Sequence, residues 1–184
     1  MIIPDIPFTL RDGRQALIRN PQEADIPEIL DYLRVSAGET DFLLRYPEEY
    51  GRYTPEGEKA LFERMNTADN EAMLICLVEG KIAGTCHIRW NKALKTGHRA
   101  SIGIALLKEY WNQGVATEIL TRLIEAAPGM GFSQIELSVV ADNERAQALY
   151  RKLGFREIGR IPNALQYEDG SRRDEIWMAL LLEK

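Results

Sequence analysis

Apolar residues along the chain recur with two periods, and the alternation between them predicts the order of its elements. From Arg14 to Arg19, Ala16 and Ile18 fall on one side of an extended segment, which Asn20-Pro21 breaks before a helix-like stretch, Asp25 to Val35. Ser36 to Thr54 mixes Asp, Glu, Tyr, Phe and Gly without a sustained period and reads as an irregular excursion. A second helix is expected over Pro55 to Met65, since proline suits a first helical turn. Ala72 to Val78 and Lys81 to Trp90 are β-like runs on either side of Glu79-Gly80, the pattern of an antiparallel hairpin. After a loop, Asn91 to Gly97, the run His98 to Leu106 carries apolar side chains on both faces, as a central strand does.

Further along, Val115, Ala116, Ile119, Leu120, Leu123, Ile124 and Ala127 form a wide helical stripe that Pro128-Gly129 ends. Phe132 to Val140 sets Ile135, Leu137 and Val139 at period two. This strand-helix-strand unit predicts a right-handed crossover between parallel strands. Asp142-Asn143 caps another helix, with Ala146, Leu149, Tyr150 and Leu153 on one face and Gly154 as its stop. Two closing strands follow, Phe155 to Ile161 and Arg173 to Leu182. No repeat or long linker interrupts the order, so the expected architecture is a single α/β domain over residues 1–184 on a mixed sheet.

Charge and composition narrow the function. With 23 basic and 28 acidic side chains the net charge is −5, and no Lys/Arg block is present, which argues against nucleic-acid backbone binding. The longest apolar runs, Ala72 to Val78 and Ile176 to Leu182, fall far short of the roughly 20 residues that cross a bilayer, so no membrane span is expected. The first residues, with Pro4, Asp5 and Pro7, lack the pattern of a secretory signal, and the expected location is the cytoplasm. A two-residue hairpin at Glu79-Gly80 would set Cys76 opposite Ala83. Cys76 and Cys86 are therefore expected to be buried free thiols. His87 and His98 lack zinc-ligand spacing, and no metal is expected.

The join between the central strand and the long helix is the candidate binding segment. A helix start presents unpaired N–H groups and the positive end of the peptide dipoles, and Gly114 with Ala116 lets a ligand approach the backbone. The segment lacks the Gly-Lys-Ser/Thr of a P-loop and the three glycines of a dinucleotide fingerprint. Trp111-Asn112-Gln113-Gly114-Val115-Ala116 instead resembles the Arg/Gln-x-x-Gly-x-Gly/Ala loop of the GNAT superfamily of N-acetyltransferases. Asp142 to Phe155 is similar to that family's Asn-x-x-Ala-x-x-Leu-Tyr-x-Lys-x-Gly-Phe segment. The tail Asn163 to Leu180 is similar to the closing hairpin of the branch that acetylates small amines and ribosomal-protein N-termini. Residues 1 to 70 match only in element order.

The resemblance implies a GNAT-like fold: a mostly antiparallel central sheet with one parallel strand pair and flanking helices. It also implies acetyl-CoA as co-substrate and a primary amine, small molecule or peptide N-terminus, as acceptor, attacked directly in a ternary complex. The coenzyme would be held by Ala105, Leu106, Leu107, Asn112, Gln113, Gly114, Val115, Ala116, Thr117, Asn143 and Tyr150. The Leu106 amide would face the developing oxyanion, and Tyr150 would protonate the leaving thiolate. Where relatives often have a basic residue and glycine, this chain has Trp111 and Asn112, and asparagine is among the least strained substitutes if position 112 needs a positive φ. Ser101 stands where relatives often carry a glutamate base, which leaves Glu39 and Asp41 as acidic candidates. A catalytically silent acyl-CoA-binding sensor is the alternative function. A homodimer is the default assembly if the protein associates.

Overall fold

A computed structural model describes residues 1–182 of the chain. Eight strands are hydrogen-bonded in the order β1-β2-β3-β4-β5-β6-β8-β7. They are β1 (Ile6–Thr9), β2 (Gln15–Arg19), β3 (Glu71–Val78), β4 (Lys81–Trp90), β5 (Arg99–Leu106), β6 (Gln134–Val140), β7 (Arg156–Gln166) and β8 (Arg172–Leu181). Four α-helices accompany them: α1 (Ile26–Gly38), α2 (Pro55–Thr67), α3 (Val115–Ala126) and α4 (Glu144–Lys152). Only β5 and β6 pair in parallel among the registered strands, as the crossover predicted. Among the described residues no helix is long and apolar enough to cross a membrane.

The chain forms two compact units, Met1–Arg89 with Ile104–Leu120, and Trp90–Gly103 with the chain from Thr121 onward. In the first, β3 is buried on both faces, which explains its unbroken apolar run. Met73, Ile75 and Leu77 pack with Ile26, Ile29 and Tyr32 of α1 and with Phe62 and Met65 of α2. Pro55 opens α2 behind Thr54, whose side chain accepts from the Gly57 N–H at 3.1 Å. A bidentate Arg19–Asp25 pair, 2.7 Å on both arms, ties β2 to the turn that enters α1.

Two strand assignments depart from the expectation, and one register does. Pro4 and Pro7 hide β1, yet Pro7 sits opposite Leu17 on an edge strand, where a missing N–H costs no ladder bond. At the β3–β4 hairpin Glu79 and Gly80 both take positive φ, 50° and 82°, the left-handed pair of a tight turn. A bulge between Cys76 and Leu77 then pairs Cys76 with Gly84 rather than Ala83. The carbonyl of the skipped Ala83 accepts from the Leu107 N–H at 3.0 Å. Both cysteines are free and buried, and burial pushes each thiol up to about 12.

In the second unit β6 carries Ile135, Leu137 and Val139 inward, and β8 presents Ile176 and Met178. The Arg99 guanidinium pairs with the buried Glu136 carboxylate at 2.6 Å. β7 runs on through Pro162 and Asn163 to Gln166, beyond the expected end at Ile161. It too is an edge strand. Its register shifts between Ile161 and Leu165, Asn163 takes φ 53°, and the Asn163 N–H donates to Asp174 Oδ1 at 3.0 Å, so the bulge absorbs the proline. The expected face of α4 turns inward, with Tyr150 buried and Ala146, Leu149 and Leu153 half-buried, and the buried Gln147 joins it. Gln147 reaches inside because its amide donates to the Ala141 carbonyl at 2.7 Å and accepts from Arg151 at 2.7 Å. Gly154 ends the helix at φ 93°.

Gly84 carries a prediction. A Cβ there would lie 2.6 Å from the Ala105 carbonyl oxygen, whereas a Cβ at Gly103 meets nothing within 4 Å. Gly84→Ala is expected to lower the free energy of unfolding by about 1–3 kcal/mol. Gly103→Ala should leave it unchanged or slightly raised, both read by urea denaturation.

Candidate active site

The end of β5 is fixed residue by residue. The Tyr32 hydroxyl donates to the Ala105 carbonyl at 2.9 Å, and the Trp111 indole N–H to the Leu106 carbonyl at 3.0 Å. The Leu107 N–H goes to Ala83 at 3.0 Å and the Lys108 N–H to Glu39 Oε2 at 2.6 Å. Because bonding direction alternates along a strand, a Leu107 N–H aimed at β4 leaves the Leu106 N–H aimed away from it. The parallel register with β6 covers Arg99, Ala100 and Ser101, and β5 runs on from Ile102 to Leu106 beyond the last registered pair.

A short 3₁₀ turn, Lys108–Tyr110, then leads to α3. Asn112 takes φ 62° and Gly114 φ 91°, so position 112 does require the left-handed region that asparagine tolerates. These two residues swing the backbone so that none of the N–H groups of residues 113–117 has a partner among the described residues. The first bond of the helix runs from the Glu118 N–H to the Gly114 carbonyl at 2.9 Å. The Gln113 side chain is a strut: its oxygen accepts from Arg14 and its amide N–H donates to the Glu109 carbonyl. Arg14 also lies over the Tyr110 ring, 5.6 Å from its centre. What Gln113 can offer a ligand is its peptide N–H. A row of peptide donors at a helix start, with no Cβ at Gly114 and only the exposed Arg11 Nε within 4 Å of where one would sit, suits a diphosphate.

In the other unit Asn143 is the N-cap of α4, its Oδ1 accepting from the Ala146 N–H at 3.1 Å. Tyr150 is buried, its ring 6.0 Å from that of Phe155. Residues 40–155 match the model of the acetyltransferase (GNAT) family. The chain belongs to that family. It is 28% identical over 118 residues to an L-amino acid N-acetyltransferase of Escherichia coli K12, covering 64% of this chain and 72% of that one. It is 40% identical over 70 residues, 38% of this chain and 48% of the other, to the [ribosomal protein bS18]-alanine N-acetyltransferase of Haemophilus ducreyi. Among solved structures, a GNAT acetyltransferase of Streptococcus pneumoniae superposes with TM-score 0.83 at 28% identity, over 91% of this chain and 99% of that one. The fold is also that of yncA from Salmonella typhimurium, solved with its cofactor acetyl-CoA, at TM-score 0.75 and 18% identity over 91% and 94% of the two chains.

Within this GNAT frame several sequence readings change. Leu107 has no free amide for a coenzyme, since its N–H is on Ala83, its carbonyl accepts from Tyr110, and its side chain packs against the α1–α2 core. Glu39 spends a carboxylate oxygen on the Lys108 N–H and so serves as a strut of the loop. Ser101 is half-buried on β5 opposite Glu136.

The acidic residue that periodicity missed is Glu58, in the first turn of α2 and only 3% exposed. No donor or cation meets its carboxylate among the described residues, and burial raises its pKa above the ordinary carboxyl value. Its charge adds to the rise of the half-buried Tyr50 phenol, after the larger effects of burial, of Tyr53 and of Glu49. The sequence signal was a glutamate one turn beyond a Thr-Pro helix start, which ordinarily reads as a solvated dipole partner.

Asn112→Gly should bind acetyl-CoA as the parent does, whereas Asn112→Val, β-branched at φ 62°, should lose about 1–2 kcal/mol of stability and bind more weakly. Urea unfolding and calorimetry decide it. Because the folded chain holds the Glu58 proton more tightly than the unfolded chain, that carboxyl's contribution is fully favourable below its unfolded value near 4.5 and is lost as pH rises through the folded value. Glu58→Gln is therefore expected to be more stable than the parent at pH 7 and to lose that part of the pH slope in thermal melts.

Proposed function

We propose that this N-acetyltransferase transfers the acetyl group of acetyl-CoA to the α-amine of a peptide or small molecule, by direct attack in a ternary complex. The row of unpartnered N–H groups at residues 113–117 carries the reading. Gln113, Gly114, Val115, Ala116 and Thr117 would hold the diphosphate through their peptide N–H groups, with Asn112 setting the turn. The Leu106 N–H would align the pantetheine arm, with Ala105 held behind it by Tyr32, and Asn143 would contact the arm. When bound, the coenzyme supplies an acetyl thioester. The Leu106 N–H, aimed away from β4, would donate to its carbonyl oxygen as charge develops there. The Tyr150 phenol would give its proton to the departing sulfur.

Deprotonating the acceptor decides between amine classes. A lysine-like amine of pKa about 10.4 costs about 4–5 kcal/mol to neutralise at pH 7, whereas a peptide α-amine of pKa about 8 costs about 1 kcal/mol. With Ser101 in place of a strand carboxylate and Glu39 engaged, the cheaper acceptor fits the groups present. The relatives named for L-amino acids and for a ribosomal-protein alanine support the same class. Glu58, a buried glutamate in the first turn of α2, would be the carboxylate to take the remaining proton.

Peptides and amino acids with free α-amines, incubated with acetyl-CoA and followed by mass spectrometry and thiol release, should give acetylated products. Tight acetyl-CoA binding with no product across the panel would instead mark a silent acyl-CoA sensor. Tyr150→Phe is expected to lower kcat by roughly 10²–10⁴, the usual weight of a positioned acid, with the acetyl-CoA Kd nearly unchanged. An unaltered kcat would remove Tyr150 from the chemistry.

A further inference from the structure

The loop at Trp111–Ala116 lacks the basic side chain that many relatives place at its first position, and the turn between β1 and β2 brings two arginines to the same loop. That turn closes through the Leu10 N–H donating to the Arg14 carbonyl at 2.9 Å and the Gly13 N–H donating to the Leu10 carbonyl at 3.0 Å. The two guanidinium groups have different surroundings. Arg14 Nε donates to Asp12 Oδ2 at 2.8 Å and its Nη2 to the Gln113 side chain, so its charge is balanced and its donors are committed to bracing the loop. Arg11 is exposed and has neither a carboxylate nor a hydrogen-bond partner among the described residues. Its Nε is the nearest atom to the open side of Gly114, 3.9 Å from where a Cβ would sit there.

We infer that Arg11 is a coenzyme-binding residue: its guanidinium, held over Gly114 by the β1–β2 turn, pairs with the diphosphate of coenzyme A in place of the basic residue missing at Trp111. The inference rests on the proposed acetyl-CoA reading, and the ligand is the family's co-substrate rather than one deduced from the helix start. The chemistry is complementary. Peptide N–H groups supply direction without net charge, while a guanidinium adds a full positive charge and paired donors that match phosphate oxygens. Asp12 is the nearest competing anion, and Arg14 already occupies it. The turn is a sensible carrier, because Arg11, Asp12 and Gly13 are exposed at its tip while Leu10, Ala16 and Ile18 anchor the hairpin in the core.

The test is calorimetric binding of coenzyme A and of 3′-dephospho-coenzyme A to the full chain and to Arg11→Gln and Arg11→Lys, at two salt concentrations. Arg11→Gln should weaken both ligands by the same factor, about five- to tenfold for one charge-assisted contact at a solvent-exposed site, and flatten the salt dependence. Arg11→Lys should recover part of the loss. Melting of the variants without ligand should match the parent, since Arg11 has no partner to lose. Parental affinity and salt dependence in Arg11→Gln would overturn the assignment, and so would a loss confined to coenzyme A, which would move the contact to the 3′-phosphate. If the parent binds neither ligand, the acetyl-CoA reading itself fails and this assignment falls with it.

Discussion

Peptide N–H groups without acceptors are tolerated only where something polar can reach them, and the stretch from Gln113 to Thr117 concentrates them at one helix start. Much of the first unit can be understood as keeping that stretch in place. Left-handed backbone at Asn112 and Gly114 makes the turn. Gln113 is braced from Arg14 and from the Glu109 carbonyl, so the loop cannot fold its own side chain over its donors. Val115, Ile119 and Leu120 are buried, which anchors the start of α3 against rotation. The donors are therefore aimed before a ligand arrives, and a preorganised dipole loses less free energy on binding than one that must be ordered.

The same economy governs the end of β5. Four successive residues, Ala105 to Lys108, have a backbone polar group fixed by Tyr32, Trp111, Ala83 and Glu39 in turn. Gly84 permits this closeness, because any side chain at that position would strike the Ala105 carbonyl. The Leu106 N–H is left directed away from β4 by simple alternation. Glu39 illustrates how position decides role: a carboxylate that composition offers as a base becomes, through one 2.6 Å bond to a peptide N–H, part of the scaffold. The end of β5 and the loop that enters α3 are thus parts of one continuous segment, and a strain introduced at Gly84 would be transmitted to both.

Local chemistry made most of this legible in the sequence. The hairpin at Glu79-Gly80, the cap at Asn143, the stop at Gly154 and the parallel crossover follow from residue types with strong backbone preferences, and they stand where the sequence puts them. The departures share a different cause. Pro7 and Pro162 are breakers only where a strand needs their N–H, and neither edge strand does, a fact set by strand order rather than by neighbours in sequence. The bulge opposite Cys76 is tied to a bond from Leu107, thirty-odd residues away in the chain. Gln147 looks like a surface residue until Ala141 and Arg151 are brought to its amide. Glu58 is legible as a helix-start glutamate and illegible as a buried one, since burial comes from what packs over it.

Charge balance adds a last constraint. A chain of net charge −5 that takes a polyanionic coenzyme must offset long-range repulsion close to the phosphates. Neutral N–H groups and a helix dipole act over about one turn, so they give affinity at contact and little attraction at a distance. An unpaired guanidinium acts across a Debye length of roughly 8 Å at physiological salt, so one beside the phosphates would attract the coenzyme before the peptide groups engage. Asp12 cancels Arg14 at 2.8 Å, so the turn's uncompensated positive charge is the one beside Gly114. A residue outside the family's loop pattern would thus be able to offset a tryptophan at its first position, because the field at the phosphates depends on where charges lie in space and not on where they lie in sequence.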